Sequence, residues 1–456
     1  MNTSLPSVDE LNRLAKAIMQ RRRVSYAEAL EILHGLTLHL VCPPDAIRRT
    51  QYQAALVTAV NTGKRAFLGG VLVEVETDVP CTLPGWPGKS LAQVVAELGG
   101  SVSSPELPAS KTISVGFSGD AEDGSLLLVA DGWRGGVLPA GSPCPIPQVD
   151  GFALGGVFAA GLAVSRAFAD VCGLEVGVCD ESYGLSLWRP DLTWTDADAS
   201  GPQLVRLPEK VWLLGLGHLG QAYLWTLGLL PFPSNASPTV FLHDYDRITS
   251  GNWSAGLLCE LGNVGKHKTR VCAEWAERRG FNTALVERPF DENTRIGLGE
   301  PRVALCGFDS ALGRRPLEGA GFDLIVECGL GSSLQHFDRM VLHTFPDASK
   351  KPSEYWPETT TPDVIDFDPR LFGAESTDGE CGILVDTLAR KPISASFVGA
   401  AAAALVVGEV LRGLHGGQRC ELVHLHLRSN QSLRVAHKPE RYQLRLATNG
   451  TLKPAA

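Results

Sequence analysis

Val211-Trp212-Leu213-Leu214-Gly215-Leu216-Gly217-His218-Leu219-Gly220 is the stretch on which the fold turns. Its first four residues are apolar and read as a buried strand, the glycines as a tight turn, and the apolar run that follows to Leu230 as a helix. In that strand-turn-helix context, a Gly-x-Gly-x-x-Gly loop lets helix N-terminal amides close on phosphate oxygens. The glycines alone are weak evidence, because any tight strand-to-helix turn selects them. The run from Trp212 to Pro231 carries only His218 as a possible charge and is long enough for a membrane span. Its internal glycine turn argues instead for a buried core element, and no membrane association is expected.

Working outward, the next apolar run, Thr239-Val240-Phe241-Leu242, leads into Asp244-Tyr245-Asp246. That sets a carboxylate where a ribose hydroxyl is bound at the carboxyl edge of a parallel sheet, as an NAD-dependent enzyme also would. Asn252 follows, and Gly265-Lys266-His267-Lys268 opens a helical stretch that brings ammonium groups towards a triphosphate. Val303 to Phe308 reads as a further strand ending at Asp309, a second carboxylate at the same edge and suited to magnesium. Hydride transfer needs neither that lysine nor that metal ligand.

Taken in order over residues 210–417, GLGHLG, DYDRITSGN, the GKHK lysines, GFDSALGRR and ECGILVDTLARKPISASFVGAAAAALVVGEVLRGLHGG resemble the ubiquitin-activating, molybdopterin-synthase-activating and thiamine-biosynthesis adenylating enzymes. The resemblance implies a Rossmann-like, mostly parallel α/β adenylation domain that uses ATP and Mg2+. It implies Gly215, Gly217 and Gly220 at the phosphates, Asp244 with Asp246 beside it at the ribose, Asn252, Lys266 and Lys268 on the triphosphate, and Asp309 on the magnesium. Lys268 and Cys381 then hold the catalytic roles, Cys381 as the thiolate that takes the acyl group from an adenylate. A small buried residue in a turn is the plainer reading of Cys381, while Cys306 and Cys328 lie on apparent buried strands and read as core. Two positions depart from the family pattern: Ala255 stands where an arginine is usual, and His218 where a further glycine is common. Lys266, or an arginine from the first unit or a second subunit, would have to replace the missing guanidinium. Arg21, Arg22 and Arg23 read as a solvated helix end.

Length and arrangement resemble the activating enzymes of bacterial ubiquitin-like conjugation operons, including antiphage ones. This implies a ubiquitin-like protein and a conjugating enzyme as partners, with a homodimer left open. Enzymes of that kind carry a degenerate copy of the adenylation domain ahead of the active one. An internal echo between Gly156–Phe168 and Gly399–Leu411 fits such a duplication, although alanine-rich helices also resemble one another by chance. The expected organisation is a helical head over 1–40, an inactive adenylation-like domain over 41–200 and an active ATP-binding domain over 201–456. Two capping boxes, Ser7 to Glu10 and Ser25 to Glu28, start the helices of the head. Residues 344–380 are expected as a mobile loop over the site, leading to Cys381.

Composition narrows the partners. The 456 residues are 44% hydrophobic and 20% charged with a net charge of −9, which suits two packed cores and argues against a nucleic-acid surface. Eleven cysteines, an odd number without a C-x-x-C pair, point to a reducing cytoplasm, and no export signal is visible. A sulfur-carrier-protein adenylyltransferase, an NAD-dependent oxidoreductase and a non-catalytic nucleotide-binding scaffold remain as alternatives.

Overall fold

A computed structural model of the chain describes residues 7, 9–103, 108–119, 121–347, 350–357, 368, 371, 387–429 and 433–438. A first sheet is built from β1 (Thr37–Val41), β2 (Gly70–Glu74), β3 (Ser101–Val102), β4 (Lys111–Val115), β5 (Leu126–Ala130), β6 (Arg134–Pro139) and β7 (Tyr183–Ser186). Its order is β3-β2-β1-β4-β5-β6-β7, parallel from β3 to β5 and antiparallel beyond. A second sheet is built from β8 (Lys210–Leu214), β9 (Thr239–His243), β10 (Asn282–Val286), β11 (Val303–Cys306), β12 (Leu324–Leu330), β13 (Arg339–Phe345), β14 (Cys420–His426) and β15 (Arg434–His437). Its order is β10-β9-β8-β11-β12-β13-β14-β15, again parallel first and antiparallel from β12 onward. Numbered from its own first strand, the second sheet repeats the order of the first and adds one edge strand. The chain is thus two Rossmann-like halves, each with a switch point beside its first strand.

The helices repeat as well. Ala153–Val171 lies between β6 and β7, and Ser396–Leu414 between β13 and β14, so the two echoing sequences occupy equivalent places. They also pack on one another: a Cβ on Gly161 would lie 2.6 Å from the carbonyl oxygen of Phe397 and 2.8 Å from the amide of Ala401. Close backbone approach explains why small residues fill both helices. By length and hydropathy either could cross a membrane, but their most apolar windows are 89% and 100% buried inside the protein. A helix apolar all round is a core helix here. Phe168 meets Phe397 with ring centroids 5.7 Å apart, and Trp225 donates to the Thr58 hydroxyl at 3.0 Å, so one apolar core runs through both halves.

The head differs from expectation in two respects. Glu10 does reach back to the amide and hydroxyl of Ser7, but the helix begins only at Ala15 and runs to Arg22. Asn12 restarts the chain, its Oδ1 accepting from the amides of Leu14 and Ala15. The second helix, Tyr26–Gly35, has the full capping box at Ser25 and Glu28. The head ends there, because β1 already belongs to the first sheet from Thr37 rather than from 41.

The first part of the stretch expected as a loop over 344–380 is not loop. Thr344 and Phe345 complete β13, and Pro352–Tyr355 forms a helical turn that sets Tyr355 and Trp356 against His343 and Phe345. Aromatic packing holds this stretch where the polar composition suggested a loop. Residues 358–367, 369–370 and 372–386, with Cys381 among them, lie outside the described residues.

Candidate functional site

The carboxyl ends of β8, β9 and β11 run into the glycine turn, Asp244 and the Asp309 loop. Gly215 has φ +79°, a left-handed conformation that glycine adopts without strain. A Cβ on Gly220 would sit 1.8 Å from the carbonyl oxygen of Gly215, so only glycine lets helix His218–Gly228 start this close to the strand. Gly217 caps that helix without a side-chain cap and faces open space. The helix N-terminus therefore presents amides and positive dipole to whatever enters the turn.

Asp244 closes the turn from the next strand. Its Oδ2 accepts from the Leu216 amide at 2.7 Å and its Oδ1 from the Asp246 amide at 2.8 Å. Lys268, the first residue of helix Lys268–Glu277, places Nζ 2.7 Å from Asp246 Oδ2 and 3.9 Å from Asp244 Oδ2. Burial works against its ammonium, but the two carboxylates outweigh it and hold the pKa above the usual lysine value. Lys266, two residues earlier, is exposed and contributes its carbonyl to the Ile248 amide. Asn252 sits in the 3-10 turn Ser250–Ser254, with Oδ1 accepting from the Thr249 amide at 3.0 Å. The structure brings Asp244, Asp246 and Lys268 into direct contact and leaves Lys266 at the rim.

Asp309 is exposed just beyond β11. The residue before it is fixed by Arg314, whose Nε and Nη2 donate to the Phe308 carbonyl at 3.1 and 2.7 Å. Arg314 in turn lies 2.9 Å from the fully buried Glu327 on β12. Among the described residues no cluster of three or more His, Cys, Asp or Glu is arranged to hold a metal ion. A single exposed carboxylate fits magnesium that arrives bound to substrate phosphates, since that ion keeps several waters and takes few protein ligands.

One site residue escaped the sequence reading: Arg13. The head lies against the 250–254 turn, where the Gly251 amide and Ser250 hydroxyl both donate to the Asp9 carbonyl. Next to it, the Arg13 amide donates to Ser254 Oγ at 3.3 Å, and its Nη1 donates to the Pro392 carbonyl at 3.3 Å. Ser254 adjoins Ala255, the position where the family arginine is absent. Burial draws the Arg13 guanidinium below its ordinary pKa, and the charges of Asp309 and Asp9 oppose that. His218 feels the same guanidinium: burial lowers its pKa to about 4, a contact with the Ala395 backbone opposes this, and Arg13 adds to the lowering. The charge of this one cation from the head thus interacts with both Asp309 and His218. No local pattern marks Arg13, because the contact spans some 240 residues of chain.

Comparison with known proteins assigns the chain to a family. The family model of the BilD N-terminal domain matches residues 37–187, and that of the BilD C-terminal domain matches residues 207–417. The bacterial E1-like protein BilD of Collimonas sp. (strain OK412) is 36% identical over 420 residues, covering 91% of this chain and 90% of that protein. The NEDD8-activating enzyme E1 catalytic subunit of Caenorhabditis elegans is 28% identical over 156 residues, covering 32% of this chain and 35% of that one. The crystal structure of E. coli MccB aligns over 69% of this chain and 91% of its own with 14% identity and a TM-score of 0.34. On the match over 91% of the chain and the two domain matches, the chain belongs to the bacterial E1-like family of BilD.

Proposed function

We propose that this protein uses ATP to adenylate the C-terminal carboxylate of a ubiquitin-like protein, then takes the acyl group on Cys381 and passes it to a conjugating enzyme in a reducing cytoplasm. The observation that carries the first step is the glycine turn closed by Asp244 and Lys268, with Asp309 beyond β11 on the same sheet edge and Arg13 hydrogen-bonded to the 250–254 turn that carries Asn252. A carboxylate is a poor acyl donor, and making it an adenylate supplies a leaving group. One carboxylate oxygen bonds to the α-phosphorus, the bond from that phosphorus to the bridging oxygen breaks, and pyrophosphate leaves with the electron pair.

The protein's part is positioning and charge neutralisation. The turn amides of 215–220 hold phosphate oxygens, and Asp244, already braced by the Leu216 amide, receives the ribose hydroxyls. Asn252 and Lys268 face the triphosphate, Lys268 exchanging a carboxylate partner for a phosphate. Asp309 would hold magnesium, which supplies positive charge to the phosphates when bound. Arg13 provides the guanidinium that Ala255 does not. The thioester step is supported by sequence alone, through Cys381 between Gly379 and Gly382. Attack of its thiolate on the acyl carbon releases AMP, and a second thiolate on the conjugating enzyme then displaces Cys381.

The test is ATP–pyrophosphate exchange with magnesium and a ubiquitin-like protein ending in a free carboxylate. Exchange should require that protein and should fall at least about 10³-fold in Asp309→Ala. Exchange that persists undiminished in Asp309→Ala, or wild-type protein that binds the partner and shows none, would sink the reading.

A further inference from the structure

Arg65 belongs to the first half, one residue past the C-cap of helix Thr50–Gly63, yet every hydrogen bond recorded for its guanidinium goes to the second half. The side chain is completely buried. Its Nε donates to the Gly256 carbonyl at 3.2 Å, and its Nη2 donates to the carbonyls of Leu257 at 3.2 Å and Cys259 at 3.0 Å. Asn61, one helical turn earlier, donates to the same Leu257 carbonyl at 3.0 Å. The guanidinium also lies 5.4 Å from the ring centroid of Trp253.

The segment so held touches the turn that carries Asn252 and, through Gln221, the glycine turn. The Gly256 amide donates to the Asn252 carbonyl at 2.8 Å. The Leu258 amide donates to Gln221 Oε1 at 2.9 Å, and Gln221 Nε2 donates to the Leu216 carbonyl at 3.0 Å. There is little slack, since a Cβ on Gly256 would lie 2.7 Å from Gln221 Oε1 and 3.1 Å from the Asn252 carbonyl. Residues 255–260 form neither helix nor strand; the Glu260 carbonyl accepts from the Asn263 amide at 2.8 Å and that of Gly256 from the Cys259 amide at a long 3.4 Å, while those of Leu257 and Cys259 take their donors from Arg65 and Asn61 in the first half.

Stability by itself is a poor reason for this arrangement. A guanidinium is costly to bury, its carboxylate partner Glu260 is half-exposed and 3.4 Å away, and an apolar side chain of similar volume would often do as well. A planar fork, by contrast, satisfies several carbonyls in only one conformation of the segment that presents them. We propose that Arg65 is a positioning residue through which the first half sets the affinity of the second half for ATP, by holding residues 252–260 in the conformation that presents Asn252. This inference rests on the adenylation reading and adds to it a role for the degenerate half.

Binding of ATP with magnesium to the full-length chain, followed by calorimetry without any protein partner, tests it. Arg65→Met keeps the volume and removes the fork, and should weaken binding about 10-fold or more. Arg65→Lys keeps the charge but loses the fork and should fall on the same side, which also covers the case of Arg65→Met failing to fold. Phe168→Leu, a core substitution remote from the segment that loosens the contact with Phe397, should lower Tm and leave ATP affinity within about 2-fold. In exchange assays, KM for ATP should rise in the Arg65 variants while kcat stays within about 3-fold. Unchanged affinity in a folded Arg65 variant overturns the proposal, as does an equal loss in Phe168→Leu. Wild-type protein that binds ATP normally but shows no exchange would sink the adenylation reading and leave the Arg65 comparison intact.

Discussion

The two halves share a strand order and differ in what their strands run into. In the second, β8 ends at Leu214 and continues as Gly215-Leu216-Gly217; in the first, β1 ends at Val41 and continues as Cys42-Pro43-Pro44. The Cys42 amide donates to the carbonyl of Glu74 at 2.9 Å as the Gly215 amide donates to that of His243 at 2.9 Å, so the positions correspond. Two prolines there remove two amide donors at the place where a phosphate would be held. Val75 follows Glu74 where Asp244 follows His243, and Phe117 stands three residues beyond Ser114 where Asp309 stands three beyond Cys306. The vacated space is filled by the chain itself: a Cβ on Gly116 would meet Ala46 Cβ, in the short helix Pro44–Ile47, at 2.3 Å. A fold can thus be copied whole while its site is lost, because packing rests on strands and helices and the chemistry rests on the turns between them.

The comparison breaks most visibly at Arg13, which serves only the second half. Arg13→Ala should cut pyrophosphate exchange about 10³-fold without unfolding the protein, and an unchanged rate would return the missing arginine to being a true loss. His218 sharpens the contrast through pH. It begins a helix whose N-terminal dipole, together with burial, disfavours the imidazolium. A histidine whose folded pKa is near 4 against 6.5 unfolded contributes stability that is intact above pH 6.5 and lost as the pH falls towards 4. Denaturation midpoints followed over that window should show an acid loss of at most about 3 kcal/mol in the wild type, and a smaller one in His218→Gln. Equal slopes would mean that the ring is solvated. The smallest effect is expected from Phe117→Asp. Restoring one carboxylate to the first half should leave exchange within about 2-fold and should not rescue Asp309→Ala, because the prolines and the Pro44–Ile47 helix still occupy the site.

Much of this was open to reading from local pattern. The strand-turn-helix around Gly215, the carboxylates ending β9 and β11, and the helix-opening Lys268 are each defined by neighbours in the chain, and the structure places them at one sheet edge. The echo between Gly156–Phe168 and Gly399–Leu411 pointed to a duplication that the repeated strand order bears out. Local pattern misled where a tertiary partner took over. The Ser7 capping box forms without starting a helix, which begins only at Ala15 after Asn12 has taken up the Leu14 and Ala15 amides, and the polar stretch after Phe345 folds back on His343 through Tyr355 and Trp356.

The amino-acid sequence determined the two α/β halves, the glycine turn and the order of polar residues along one sheet edge. These follow from periodicity and from the conformations open to glycine and proline, both of which act within a few residues. Only the tertiary structure decided that Arg13 of the head lies against Ser254, the residue before Ala255, and that Arg65 of the degenerate half holds the segment that follows Asn252. Those contacts join residues about 190 to 240 positions apart, and no local preference encodes them. They arise because two copies of one fold pack through their equivalent helices, and the backbone carbonyls left without partners at that junction take up whichever cation the packing delivers.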